Sequence, residues 1–270
     1  YEGVNRANYM IENKDKIDFP RKNEMYGEVH FLRAFFYFEL VKIYGDVPLF
    51  THGRLTAGDS GTLTRVPKSE VYAVIESDLN SAISALPAHK STDGRATSFT
   101  AHALLGKVYL YQGKYSEAAN ILEPLIGLYT LPSNPGSVFL VSGENGPESV
   151  FEIQHSKESN GWNWGWLPQS TEGNFGVIHH GIRGYNGPTY SSGWSFNVPT
   201  DEFHKSFKSG DKRRDASILD IVKWAEDNNA SYNEGYEHTG YFNNKYIPRQ
   251  GYSKNTMELN YENNYRYIRY

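Results

Sequence analysis

"SFTAHALLGKVYLYQGKYSEAANIL", Ser98 to Leu122, decides the fold. Ala101, Leu104, Leu105, Val108 and Tyr109 recur three or four residues apart, the period of one buried helical face. Gln112-Gly113-Lys114 breaks that period, and a second begins at Tyr115. The spacing predicts two helices, over about 98–111 and 115–126, joined by a tight turn. Gly106 and Ala118 are small enough to let the two lie close together, with Tyr109 and Tyr115 filling the space beside them.

The order Leu105-Gly106-x-x-Tyr109, Gly113, Tyr115, Ala118-x-x-x-Leu122 matches the tetratricopeptide pattern. His102 stands where that pattern often carries Trp, and reads as a satisfied histidine of the helix or groove. Working outward, "DLNSAISALP", Asp78 to Pro87, reads as the second helix of an earlier repeat. It ends a predicted helix from about Pro67 to Leu86, with Val71, Ile75, Leu79, Ala82 and Leu86 on one stripe. Its first helix would run from about Pro20 to Tyr44, with Pro20 in the first turn. Val29, Leu32, Phe36, Leu40 and Ile43 line one face of that helix, and Phe31, Phe35 and Phe38 a second. A helix apolar on two faces is buried between neighbours. Gly45 suits its C-terminal cap and Pro48 stops continuation. Residues 1–19 are weakly helical in spacing, and 51–66, rich in Gly, Thr, Ser and Asp, read as a loop.

The chain has 270 residues, 39% hydrophobic and 21% charged, an ordinary globular composition. A formal charge of −4 offers no basic field, which argues against nucleic acid as partner. No apolar run is long enough to span a bilayer. With no cysteine there is no disulfide framework and no thiolate chemistry. The chain opens at Tyr1 and stops within the apolar-periodic "YRYIRY", Tyr265 to Tyr270, so it reads as an internal portion of a longer polypeptide.

After Gly127 the character changes. Residues 128–200 carry no amphipathic helix. "VFLV" (Val138–Val141) and "SVFEIQ" (Ser149–Gln154) read as short strands. A short helix is expected from about Thr200 to Lys208, and 226–264 read as loop with a strand near Tyr246. The fold class is therefore mostly α: a tetratricopeptide-like repeat scaffold over 1–127, then a loop-rich subdomain over 128–270. That subdomain has a few short β-strands and an aromatic cluster, and leads into a further helix at its C-terminal end.

Three ordered segments carry a family resemblance: "EVHFLRAFFYFELVKIYGDVPLF" (28–50), "RVPKSEVYAVIESDLNSAISALP" (65–87) and "GRATSFTAHALLGKVYLYQGKYSEAANIL" (94–122). "ESVFEIQHS" (148–156) and "NYRYIRY" (264–270) fit as well. Together the series resembles the SusD/RagB family of outer-membrane nutrient-binding lipoproteins. The resemblance implies a surface-exposed outer-membrane protein that holds an oligosaccharide or polysaccharide and passes it, uncleaved, to a SusC-like TonB-dependent transporter. It also implies a lipid anchor on a cysteine that this sequence does not contain, as the sole membrane contact. Repeat helices would form the scaffold and the transporter-facing surface, and inserted loops the glycan contacts.

The residues point to the same loops. Trp162, Trp164, Trp166 and Trp194 are four of five Trp in the chain, with Phe175, Tyr185, Tyr190 and Phe196 among them. Sugar rings present apolar C–H faces on which flat aromatic side chains stack, and Trp and Tyr supply rigid area for this. Binding residues tend to sit on loops held by a rigid scaffold. Trp162, Trp164, Trp166, Tyr185, Tyr190 and Trp194 are the candidate stacking residues. Asn163 and Arg183, with Asn174 and Asn186, are candidate hydrogen-bonding neighbours. The competing reading makes these aromatics a small core anchoring a long loop: Trp162-x-Trp164-x-Trp166 share one side of an extended chain, and that side can face inward.

No catalytic residue, metal ligand or cofactor is assigned. His179-His180 point apart in extended chain, and no zinc spacing of histidines is present. "DNNASYNEGYEH", Asp227 to His238, places oxygen side chains at alternate positions. It has Tyr232 where a calcium loop needs Gly and His238 where it needs Glu, so it reads as a solvated loop. Asp201-Glu202 suit a helix start, and Glu148 and Glu152 flank a strand. Nothing in sequence makes a pair of them the facing carboxylates of a hydrolase. Two rivals to glycan binding stay open: a tetratricopeptide adaptor gripping protein or peptide with its helices, and, less favoured, a glycan hydrolase.

Overall fold

The computed structural model describes residues 1–61, 63–89, 92–158, 172–235, 237–254 and 260–270. They form two compact units, Tyr1–Tyr129 and Thr130–Tyr270. The protein is mainly helical with short strands, as the periodicity predicts.

The first unit runs α1 (Glu2–Glu12), α2 (Lys22–Tyr44), β1 (Val47–Pro48), β2 (Arg65–Val66), α3 (Lys68–Ala85), α4 (Ser98–Tyr111) and α5 (Tyr115–Leu122). A single turn of 3₁₀ helix, Glu123–Leu125, extends α5. α2 begins at Lys22, not Pro20, because Arg21 sits in the left-handed region at φ 62° and breaks the helical path. α2 ends where expected, on Gly45 at φ 68°, a conformation that costs glycine little. β1 and β2 pair antiparallel, Val47 opposite Val66, and close the excursion between them. Thr97 caps α4 by accepting the Thr100 N–H at 3.1 Å.

The α3 stripe is buried as predicted: Val71, Ile75, Leu79 and Ala82 are sealed, and Leu86 nearly so. α4 and α5 form the close helical hairpin. A Cβ on Gly106 would lie 2.6 Å from Leu122 Cγ, so any larger residue there must displace the Leu122 side chain. α2 departs from its predicted faces. Leu32 is 43% and Ile43 68% exposed, whereas Arg33 is buried. The buried side is set by Tyr26, Ala34, Tyr37, Phe38, Val41 and a polar group at their centre. Arg33 Nε and Nη2 each donate to a different Asp78 oxygen at 2.7 Å. Its Nη1 donates to Asn8 Oδ1 at 2.9 Å, joining α1, and His30 Nδ1 lies 2.7 Å from Asp78 Oδ1. Tyr37 beside them donates to Phe50 O at 2.6 Å, and burial pushes its hydroxyl up to about 12.

The second unit runs β3 (Ser149–Ile153), α6 (Gly176–His179), α7 (Asp201–Lys205), α8 (Lys212–Ser217), β4 (Ile218–Asp220), α9 (Ile221–Asn228), β5 (Tyr241–Asn243) and β6 (Tyr265–Arg269). β3 pairs antiparallel with β6, Glu152 opposite Arg266, and β4 with β5, Leu219 opposite Phe242. Three expectations are corrected. Val138–Val141 is not a strand: Ser137–Phe139 and Val141–Gly143 are 3₁₀ turns, and the run is apolar because Phe139 packs edge-on against Tyr246 at 5.4 Å. The strand expected at Tyr246 lies at Tyr241–Asn243, and Tyr246 has φ 53°. The stretch expected to lead into a helix, Tyr265–Arg269, is extended, because its alternation seats Arg266 inward. There Arg266 Nη2 donates to Leu140 O at 2.7 Å and its guanidinium faces Glu144 and Glu152. One hydrophobic cluster gathers Ile182, Tyr185, Tyr190, Leu219, Ile221, Phe242 and Ile247. A second holds Val177, Ile178 and Tyr261.

Removing one partner of a buried ion pair strands the other. Asp78→Ala is expected to destabilise the protein by about 3–5 kcal/mol. Gly106→Val, which forces Leu122 aside, is expected to cost about 1–3 kcal/mol. Urea unfolding followed by circular dichroism reads both as shifts in midpoint.

Candidate functional site

α6 is a single helical turn, set by Asn174. That side chain accepts the Gly176 N–H at 3.1 Å and donates to Asn263 O at 3.0 Å. Its apolar residues Val177 and Ile178 enter the core with Tyr261, which leaves His179 and Phe175 outward. The chain returns along the same turn at residues 193–196. Ile178 O accepts the Trp194 N–H at 3.0 Å, His179 O accepts Phe196 N–H at 2.8 Å, and Gly181 O accepts Ser195 N–H at 2.8 Å. This zipper needs two bare α-carbons: a Cβ on Gly193 would sit 2.3 Å from Gly181 Cα, and one on Gly181 2.6 Å from Gly193 Cα.

The result is a patch of four rings. His179 lies 4.9 Å from Trp194 and 5.9 Å from Phe196, centroid to centroid. Phe175 lies 5.9 Å from Trp194, and Trp194 6.1 Å from Phe196. Phe175 and Phe196 are 39% and 54% exposed, and Trp194 is half-buried against the Val177–Ile178–Tyr261 cluster. Ser195 and Asn197 on either side of Phe196 have φ of 59° and 56°. Left-handed non-glycine residues cost of order 1–3 kcal/mol each and persist where the surroundings fix them. Here the backbone ladder and Arg183 do so. Arg183 Nη2 donates to Trp194 O at 3.0 Å, and its N–H to Ser195 Oγ at 2.9 Å.

The sequence-predicted residues therefore divide. Trp194 and Arg183 meet at the patch, with Arg183 clamping the backbone that carries the ring. Tyr185 and Tyr190 lie in the other cluster, 8% and 4% exposed. The Tyr185 hydroxyl donates to Pro188 O at 2.7 Å and accepts from Trp224 Nε1 at 2.9 Å. Tyr190 packs against Trp224 at 5.1 Å and carries the Arg249 guanidinium over its ring at 4.9 Å. For these two the packing reading holds, and neither presents a free face. Trp162, Asn163, Trp164 and Trp166 lie outside the described residues. His179 is the member sequence reasoning missed: weighed only as a metal ligand, it contributes a ring.

The acids weighed for catalysis are engaged elsewhere. Glu148 pairs with Arg269. Glu152 accepts from Asn145 N at 3.0 Å and Asn264 Nδ2 at 3.1 Å. Thr200 caps α7, and Asp201 in its first turn pairs with Lys205. Among the described residues no cluster of three or more His, Cys, Asp or Glu could hold a metal ion.

Residues 1–110 match the family model described as "Starch-binding associating with outer membrane" (SusD-like). The chain is 28% identical over 228 residues to SusD-like protein P2 of Formosa agariphila, covering 81% of this chain and 43% of that protein. A solved "Laminarin binding SusD-like protein" superposes with TM-score 0.89 at 38% identity, over 100% of this chain and 62% of that one. Surface glycan-binding protein A of Bacteroides thetaiotaomicron, in complex with laminarihexaose, superposes with TM-score 0.85 at 26% identity, over 100% and 60%. The chain is thus similar to SusD-like proteins in sequence and in fold, and it spans less than two thirds of the length of these relatives.

Burial pushes the imidazoles of His155 and His180 below their usual 6.5, His180 being further lowered by His179. Both carry a buried Nδ1 without a hydrogen-bond partner. The folded state thus disfavours their protonation. Their contribution is complete above pH 6.5 and is lost as pH falls through the lowered folded values. The urea midpoint is expected to fall on acidification below pH 6.5, and less steeply in His180→Asn.

Proposed function

We propose that this chain is a non-catalytic, surface-exposed glycan-binding protein of the outer membrane, that it takes a glucan oligosaccharide of the laminarin type, and that it passes the ligand to a SusC-like TonB-dependent transporter. The observation that carries the binding reading is the Phe175–His179–Trp194–Phe196 patch. Exposed rings held on a fixed backbone offer stacking faces for sugar C–H surfaces, and rigid placement means little ordering is left to pay for on binding. The neighbours with TM-scores of 0.89 and 0.85, described as laminarin-binding and laminarihexaose-bound, support the ligand class. The structural engagement of Glu148 and Glu152 supports binding without hydrolysis. Transporter and lipid anchor rest on the family alone.

Isothermal titration with laminarihexaose tests the reading. Trp194→Ala is expected to weaken binding about tenfold or more, ~1.4 kcal/mol. Tyr185→Phe is expected to leave affinity unchanged while lowering stability by about 1 kcal/mol, since it loses hydrogen bonds inside the core. Absence of binding to any glucan, or Trp194→Ala binding as wild type, would overturn the reading or the site respectively.

A further inference from the structure

The second unit also contains a polar cavity of about 530 Å³ that shares no residue with the aromatic patch. Ser133, Asn134, Ser137 and Asn244 line it together with Lys212 and Arg249. Two cations stand on its wall without a carboxylate partner among the described residues. Arg213, Arg214, Arg266 and Arg269 of the same unit each face a carboxylate: Asp211, Asp215, Glu144 and Glu148. Lys212 and Arg249 face none among the described residues. The polar contact of the Lys212 ammonium is Ser133 O at 3.4 Å, a long and weak one. Asp215 also borders the cavity, but its carboxylate is already matched by Arg214 Nε at 2.8 Å.

Arg249 is fixed in place. Its guanidinium rests 4.9 Å from the centroid of the buried Tyr190 ring, and Nη2 donates to Asn244 Oδ1 at 3.2 Å. Half withdrawn from water and without a counter-charge, it gains most from a ligand that brings an anion. A guanidinium suits the two oxygens of a carboxylate or sulfate, and a nearby ammonium adds a point charge. Ser137 Oγ donates to Asn134 O and the Asn244 amide is held by Asp215 O and Arg249, so these groups offer their remaining lone pairs, and Asn134 its amide N–H, to ring hydroxyls.

We propose that this cavity binds an acidic sugar residue, one bearing a carboxylate or a sulfate ester, with Lys212 and Arg249 holding the anionic group and Ser133, Asn134, Ser137 and Asn244 addressing the hydroxyls. This goes beyond the neutral-glucan reading and does not depend on Trp194.

The test is titration with three matched probes: laminarihexaose, the same oligosaccharide oxidised to glucuronate at C6, and its sulfated form. The charged probes are expected to bind up to about fivefold more tightly at low salt. That advantage shrinks as ionic strength rises. Lys212→Gln and Arg249→Gln each remove most of it, and it persists in Trp194→Ala. Equal affinity for charged and neutral probes, or an advantage that survives both changes, overturns the proposal. Arg249→Gln loosens Tyr190, so folding is checked by circular dichroism. Exposed Lys212→Gln decides alone if that variant does not fold. Failure of wild type to bind laminarihexaose would sink the neutral-glucan reading and leave the charge-dependent difference standing as its own result.

Discussion

The first unit is organised around Arg33 and Asp78. A buried ion pair is poor evidence of net stability, because desolvating two charges offsets most of their attraction. Its effect here is on register. Arg33 on α2 reaches Asp78 on α3, Asn8 on α1 and the carbonyl of Thr51. Sliding any of these elements by one turn leaves a charge buried without its partner, a penalty no apolar contact of similar size imposes. Three helices and a loop are thereby locked to one alignment, and the sealed rings of Phe31, Tyr37 and Phe38 fill the space around it.

That pair also explains where the sequence misled. An apolar stripe on α2 identifies Leu32 and Ile43 as core, yet the helix turns Arg33 inward and both face out. Periodicity counts apolar residues and is blind to a charge whose partner lies 45 positions away. On α3 and α4, where the apolar stripe coincides with the buried face even though Asp78 and Thr100 are buried in it, the same reasoning found the stripe and the ends. The short helices α8 and α9 escaped notice because they bury little. Their signals were local: Asp211 and Asp220 accept the N–H of Arg213 and Lys223 as N-terminal caps, and Asn229 closes α9 at φ 49°. Val138–Val141 reads as strand by composition, but adjacent turns can bury the same residues as a strand does.

The aromatic patch was half legible. A concentration of Trp, Tyr and Gly pointed to 160–196 as a region. It could not sort its members, because ring exposure depends on backbone pairing rather than residue type. Trp194 and Tyr190 are four positions apart; one leans on a small cluster with its neighbours exposed, the other is sealed under Arg249. What separates them is the Gly181–Gly193 contact, which lets residues 193–196 run back along α6 and turn the Phe196 side outward. The left-handed residues Ser195 and Asn197 show the cost of that path, and the ladder to Ile178, His179 and Gly181 offsets it. Strain held by the scaffold is a form of preorganisation: the rings are placed before any ligand arrives.

Two kinds of charge in the second unit contrast. Glu144, Glu148 and Glu152 pair with Arg266 and Arg269 and fasten β3 to β6 and to the turns before it. Burial pushes the Glu144 carboxyl above its usual range in spite of Arg266. Lys212 and Arg249 belong to the other kind. They border open space, one held by an aromatic face and an amide, the other almost unheld. Leaving them unmatched beside a hydroxyl-compatible wall costs little while water fills the cavity, and becomes favourable only when an anion enters. On the reading proposed above, the aromatic patch would select by shape and apolar area and this cavity by charge, each independently of the other.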